Sequence, residues 1–195
     1  TFVGIAPATV LSVSYSGELA YEIHVPNAQL YAAYLALRAA GEAHGMTLFG
    51  SRAVESMRIE KGYLHWKSDI LTEFDPFETG LARFVRMEKG AFVGKEALAR
   101  RQAEGPRRAF VTLDVACDDR AAHGGASVMI GDRVVGTVTS GDWGHRTGLN
   151  LAMAFVEPQL AAPGTEVEID MLGTRFRAVV IPAGPYDPDY TRVRA

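Results

Sequence analysis

Two carboxylates four residues apart, Glu18 and Glu22, stand in the segment YSGELAYEIHV (15–25) beside Tyr15, a Ser16-Gly17 step and His24. Leu11, Val13 and Tyr15 alternate with polar neighbours before that step, and Tyr21, Ile23 and Val25 do so after it. A period of two on both sides predicts a half-buried hairpin turning at Ser16-Gly17. Glu22 and His24 then share the face opposite Tyr21, Ile23 and Val25, because strand side chains alternate. On a solvated face both are ordinary surface groups, and the pattern alone favours that reading. On a covered face, an ionised acid must find hydrogen-bond donors. Further polar groups recur at Arg52, Glu55 and Arg58 in SRAVESMRIEKG (51–62), and at Tyr186 in PYDP (185–188).

The elements that would hold these groups follow from local pattern. Pro26-Asn27 supplies a stop and a helix cap, and Leu30, Tyr31, Tyr34, Leu35 and Arg38 recur at helical spacing until Gly41. Met46–Phe49 reads as a short strand. Ser51 can cap a second helix that Gly62 closes. The stretch 63–85 reads as loop with short strands, and 94–103 as a linker helix. From Arg107 onward, six short alternating runs (AFVTLDV, ASVMI, RVVGTVTS, AMAFV, EVEIDM and RFRAVVI) are spaced as a small barrel or sandwich requires. Gly131-Asp132 and Leu172-Gly173 are the expected hairpin turns. The fold expected is α+β: residues 1–104 a hairpin with helices and a linker helix, then a six-stranded β-barrel over 105–195.

Composition narrows the function. The 195 residues carry a net charge of −3 with 48% hydrophobic and 22% charged residues, the profile of an ordinary globular protein. No basic excess is present to attract nucleic acid or an anionic membrane. No apolar run approaches the roughly 20 residues of a bilayer span, and the start resembles no signal peptide. The single Cys117 fits a reducing compartment, cytoplasmic or, in a eukaryote, the mitochondrial matrix. The five histidines never fall into a metal-ligand spacing, and no dinucleotide or phosphate-loop glycine pattern occurs. The opening at Thr1 reads as that of a piece of something longer.

YSGELAYEIHV, SRAVESMRIEKGYLHWKSDI, KGAFVGKEAL, VTSGDWG and PYDP follow one another along the chain. In that order they resemble the glycine cleavage T-protein (aminomethyltransferase) family, in its carboxyl-terminal portion. The wording of RIEKGYLHWKSDI and PYDP is most like the folate-binding halves of dimethylglycine and sarcosine dehydrogenases. The resemblance implies a truncated folate-binding α/β domain followed by the barrel, and a tetrahydrofolate site. It implies folate contacts at Tyr15 and Glu22, the acid gripping the 2-amino group and N3–H of the pterin, and therefore a Glu22 shielded from bulk water. It places Arg52 at the arginine of the family's helix-opening pattern, with Arg58 as the alternative because the local wording departs from that pattern. Tyr186, or alternatively Tyr190, matches the carboxyl-terminal aromatic that closes over the folate.

The reaction so implied moves a one-carbon unit from a small amine-derived donor to tetrahydrofolate, giving 5,10-methylenetetrahydrofolate. In the dehydrogenases the donor arises at an upstream flavin (FAD) domain; in T-protein it rides on a lipoylated carrier protein. The family's aspartate near N10 belongs to a segment preceding Thr1, so no catalytic residue is assigned within the chain, and the chain alone is expected to be an inactive fragment. A non-catalytic interaction module on the same scaffold is the competing reading, and a folate-fold methyltransferase acting on sulfur is a third.

Overall fold

A computed structural model describes all residues from Thr1 to Ala195. Two small antiparallel ribbons open the chain: β1 (Phe2–Val3) with β2 (Ala6–Pro7), and β3 (Thr9–Leu11) with β4 (Glu22–His24). In the second ribbon Thr9 faces His24, Val10 faces Ile23 and Leu11 faces Glu22. The pairing is the expected one, but the tight turn is not. Residues 12–21 form a long loop, so Tyr15 and Tyr21 lie off the strands. Serine side chains explain the departure. The Ser14 hydroxyl accepts from Gly17 N at 3.0 Å and the Ser16 hydroxyl from Glu18 N at 3.3 Å, and such local bonds compete with a ladder. Gly17 has a φ of 82° and lies against the Lys61 side chain, where an added Cβ would come within 2.9 Å.

Helix α1 (Leu30–Glu42) follows a helical turn at Asn27–Gln29, in which Asn27 makes no side-chain cap. It buries only Ala33, leaving Leu30, Tyr31, Tyr34 and Leu35 exposed. Met46–Phe49 forms no strand. Helix α2 (Ser51–Lys61) ends at Gly62 in the left-handed conformation, as expected, and buries Ser56 and the unbroken run from Arg58 to Lys61. An irregular stretch then leads to α3 (Lys95–Glu104). Glu78 pins that stretch to the chain entering the barrel: its buried carboxylate accepts from Arg107 Nε at 3.1 Å and from Arg107 Nη2 at 3.0 Å.

The barrel comprises β5 (Ala109–Val115), β6 (Ser127–Ile130), β7 (Arg133–Gly144), β8 (Leu149–Val156), β9 (Glu166–Met171) and β10 (Thr174–Ile181). It closes in the order β10-β5-β8-β7-β6-β9, so it has no free edge. Two-residue turns join β6 to β7 and β9 to β10, with positive φ at Gly131, Leu172 and Gly173 as primed turns require. Alternate inward residues build a core of 17 buried side chains, among them Leu113, Val128, Val138 and Ile169, with Cys117 at its margin. The α+β class and the six-stranded barrel are those expected from sequence. SGDWG (140–144) forms the end of β7, and α2 packs on it through Ser56 Oγ, which donates to Trp143 O at 2.6 Å.

Candidate functional site

Behind the contact of α2 with the barrel lies a buried polar centre. Arg58 is fully buried and all its nitrogens are engaged: Nε donates to Glu55 Oε1 at 2.9 Å, Nη1 to Asp69 Oδ2 at 2.5 Å and to Tyr63 O at 3.1 Å, and Nη2 to Glu55. Asp69, equally buried, also accepts from Ser140 Oγ at 2.6 Å, from His65 N at 2.8 Å and from Thr139 Oγ1. Consecutive strand residues normally point apart. Here the register of β7 on β8 shifts between Val138 and Ser140, and the bulge turns both hydroxyls to one acid.

A second polar centre ties the 12–21 loop to the barrel and the carboxyl-terminal tail. Arg146 Nε donates to buried Glu60 at 2.5 Å, Nη1 to Glu18 at 2.8 Å and Nη2 to Met57 O at 2.7 Å. Its guanidinium lies 3.7 Å over the Tyr186 ring, whose hydroxyl donates to Glu18. Hydrogen bonds from Tyr186 and then Arg146 hold the Glu18 carboxyl below its ordinary pKa, and the bond to Glu18 raises that of Tyr186. Lys61 extends the staple along the tail, reaching Asp187 Oδ2 at 3.0 Å and the Tyr190 ring at 4.0 Å.

Between these two centres opens a cavity of about 420 Å³, walled by the Tyr15 loop, the end of α2, residues 63–84 and barrel strands β5 and β8. Tyr15, Leu64, Phe84, Phe110 and Met153 give it a largely apolar interior. Burial raises the Tyr15 pKa, so its phenol stays protonated and can both donate and accept. Phe110 is held edge-on to Phe155, at 5.0 Å between ring centres. The size and lining are those of a small-molecule site.

The four residues named from the family resemblance do not converge in this chain. Tyr15 lines the cavity. Glu22 does not: its side chain is 58% exposed and its one hydrogen-bond partner is His24 Nε2, at 3.2 Å. The shielding expected for it is absent in residues 1–195, because the β3–β4 ribbon is a two-stranded sheet to which no further strand is added. Arg52 is exposed in the first turn of α2 and lines a separate polar cleft with Glu55, His65, His123 and Asp142. Its alternative, Arg58, sits near enough to Tyr15 to act on its pKa, but is closed off by its own partners. Tyr186 is held by the Glu18–Arg146 staple, and Tyr190 covers Lys61. Sequence reasoning missed Asp69, Glu60 and Arg146 as partners, since each pairing joins distant parts of the chain. Of the two carboxylates in segment 15–25, Glu18 is the one engaged by distant residues, Arg146 and Tyr186, while Glu22 bonds only to His24. No group of three or more His, Cys, Asp or Glu side chains converges as metal ligands, and no helix is long and apolar enough to cross a membrane.

Known proteins agree with this architecture. The GCVT N-terminal domain matches residues 1–89, and the glycine cleavage T-protein C-terminal barrel domain matches residues 108–187. Human mitochondrial dimethylglycine dehydrogenase is 36% identical over 90% of this chain, which spans 20% of that protein. An aminomethyltransferase of Streptomyces coelicolor is 38% identical over 90% of the chain, which spans 49% of it. The crystal structure of the glycine cleavage system aminomethyltransferase T from Bartonella henselae superposes with a TM-score of 0.83 at 25% identity, covering 92% of this chain and 50% of that one. The chain thus spans about half the length of its aminomethyltransferase relatives and about a fifth of the dehydrogenase. With both of its domain types matched in order and a solved member superposing on nearly all of it, the chain belongs to the glycine cleavage T-protein family.

Proposed function

We propose that this chain is the folate-binding part of a one-carbon transferase, receiving an amine-derived carbon on tetrahydrofolate to give 5,10-methylenetetrahydrofolate. The observation that carries the reading is the cavity beside Tyr15. It lies at the meeting point of the loop, α2 and the barrel, and is lined by the tyrosine that the family resemblance assigns to folate. A protonated phenol in an apolar wall suits a flat heteroaromatic ligand with polar edges. Rate in such a transfer comes largely from holding N5 and N10 of the folate beside the electrophilic carbon.

The acid that grips the pterin edge is Glu22 in this reading. Its face must then be covered by chain outside residues 1–195, and the uncovered apolar side of α1 would pack against the same addition. Identities of 36% to a dehydrogenase and 38% to an aminomethyltransferase do not separate the subfamilies. The wording RIEKGYLHWKSDI favours the demethylating dehydrogenases, whose one-carbon donor forms at a flavin domain. A lipoylated carrier is the partner if the chain is of the aminomethyltransferase type.

Titration of 5-formyltetrahydrofolate into the protein, followed by calorimetry, tests the reading. Tyr15→Ala is expected to weaken binding about tenfold or more, the loss of one good aromatic contact with its hydrogen bond. Equal affinities for the wild type and Tyr15→Ala would contradict it.

A further inference from the structure

The lining of the Tyr15 cavity has an unusual charge inventory. Among its residues stand two tyrosines and one arginine, Arg83, with no aspartate or glutamate. The arginines that lie deeper are matched to acids, Arg58 to Glu55 and Asp69 and Arg146 to Glu18 and Glu60, whereas Arg83 is exposed at the cavity rim. Arg83 makes no ion pair and no side-chain hydrogen bond, although it sits at the mouth of an apolar chamber. It is nonetheless oriented. The helical turn Ala82–Phe84 is fixed by Leu81 N donating to Pro76 O at 2.9 Å and Phe84 N donating to Leu81 O at 3.0 Å. The guanidinium lies 4.7 Å over the Phe84 ring, which leaves its edge N–H groups free. Its charge is also felt by the Tyr63 hydroxyl on the same wall.

An apolar chamber with a single unpartnered fork of donors at its rim fits an aromatic body bearing a carboxylate. We infer that Arg83 binds the glutamyl carboxylates of the folate, while the aminobenzoyl ring occupies the apolar interior beside Tyr15. This rests on the folate reading above and adds to it the residue that recognises the anionic tail. The ammonium of a lysine would supply charge without the planar fork. An acid brought to the rim instead would be repelled were the lining acidic, and it is not.

The test uses two probes, 5-formyltetrahydrofolate and its glutamyl diamide, in which both tail carboxylates are amides. Arg83→Met keeps an apolar stem on Phe84 and removes the donors. Exposed charge pairs are weak, so the expected loss is about two- to fivefold for the acid probe, with the diamide bound alike by both proteins. Arg83→Lys is expected to fall between. Equal binding of the acid probe by wild type and Arg83→Met overturns the inference while leaving the folate reading standing. An equal loss for both probes also overturns it, since the arginine would then act by packing. Failure of both probes to bind the wild type overturns the folate reading and this inference together. Because Arg83 is exposed and unpaired, its variants should keep the wild-type unfolding midpoint.

Discussion

Asp69→Ala is expected to destabilise the protein by about 3–5 kcal/mol, the cost of leaving a buried charge without its partner. Arg58 has no route to water, being fully buried between α2 and β8, with Met153 Sδ 3.4 Å from Nη1. Loss of Asp69 also leaves the Ser140 hydroxyl and the His65 amide without their acceptor, while the Thr139 hydroxyl keeps only Met153 O, at 3.2 Å. Glu55 cannot substitute, because its side chain lies on the outer side of the guanidinium, 36% exposed, and is already bonded to it. Replacing both partners, Arg58→Met with Asp69→Ala, should recover part of the loss, since an apolar pair removes the stranded charge. Urea unfolding of the two variants checks this. A single variant within about 0.5 kcal/mol of wild type, the range of ordinary surface changes, would show that the centre is not buried as described.

Arg146→Ala is expected to cost about 2–4 kcal/mol and to release the carboxyl-terminal tail. Glu60, nearly fully buried, would keep only the donors from the Arg146 and Thr147 backbone and the Thr147 hydroxyl. Tyr186 would lose the cation stacked on its ring, and the loop anchored by Glu18 would lose its link to the barrel. Proteolysis should then cut beyond Gly184 at protease concentrations that leave the wild type intact. The staple also has an acid signature. Glu18 is held below its ordinary pKa when folded, so the folded state binds fewer protons than the unfolded one. Its contribution is present above the ordinary carboxylate range, near pH 4, and fades as pH falls through the lowered value. The variant should show a shallower loss of stability between about pH 5 and 3. A tail as resistant as wild type, with an unchanged pH slope, would refute the staple.

What sequence made legible was whatever rests on near neighbours. Gly62 stops α2 because only a glycine takes that left-handed cap cheaply, and Gly131-Asp132 turns β6 into β7 for the same reason. The alternating runs after Arg107 were enough to foresee a six-stranded barrel, because each inward face must be buried. The pairing of Thr9–Leu11 with Glu22–His24 was legible too, but the turn between them was not. Ser14 and Ser16 spend their hydroxyls on the backbone there and convert a strand pattern into a loop. The polar centres escaped because Arg58 with Ser140's acid, and Glu60 with Arg146, are joined only when the barrel closes on α2. The long SGDWG strand with its bulge belongs to the same class: its shape is set by Asp69, far off in the chain. Glu22 marks the opposite case. Its face depends on what lies over the ribbon, which no local pattern encodes.

Amide hydrogen exchange with and without saturating 5-formyltetrahydrofolate asks most directly where the ligand sits. The account predicts added protection at the walls of the Tyr15 cavity, over residues 62–64, 79–84 and 110–112, with no change at 121–124 and 139–142 beside Arg52. Protection confined to the Arg52 cleft, or spread evenly over both, would contradict it.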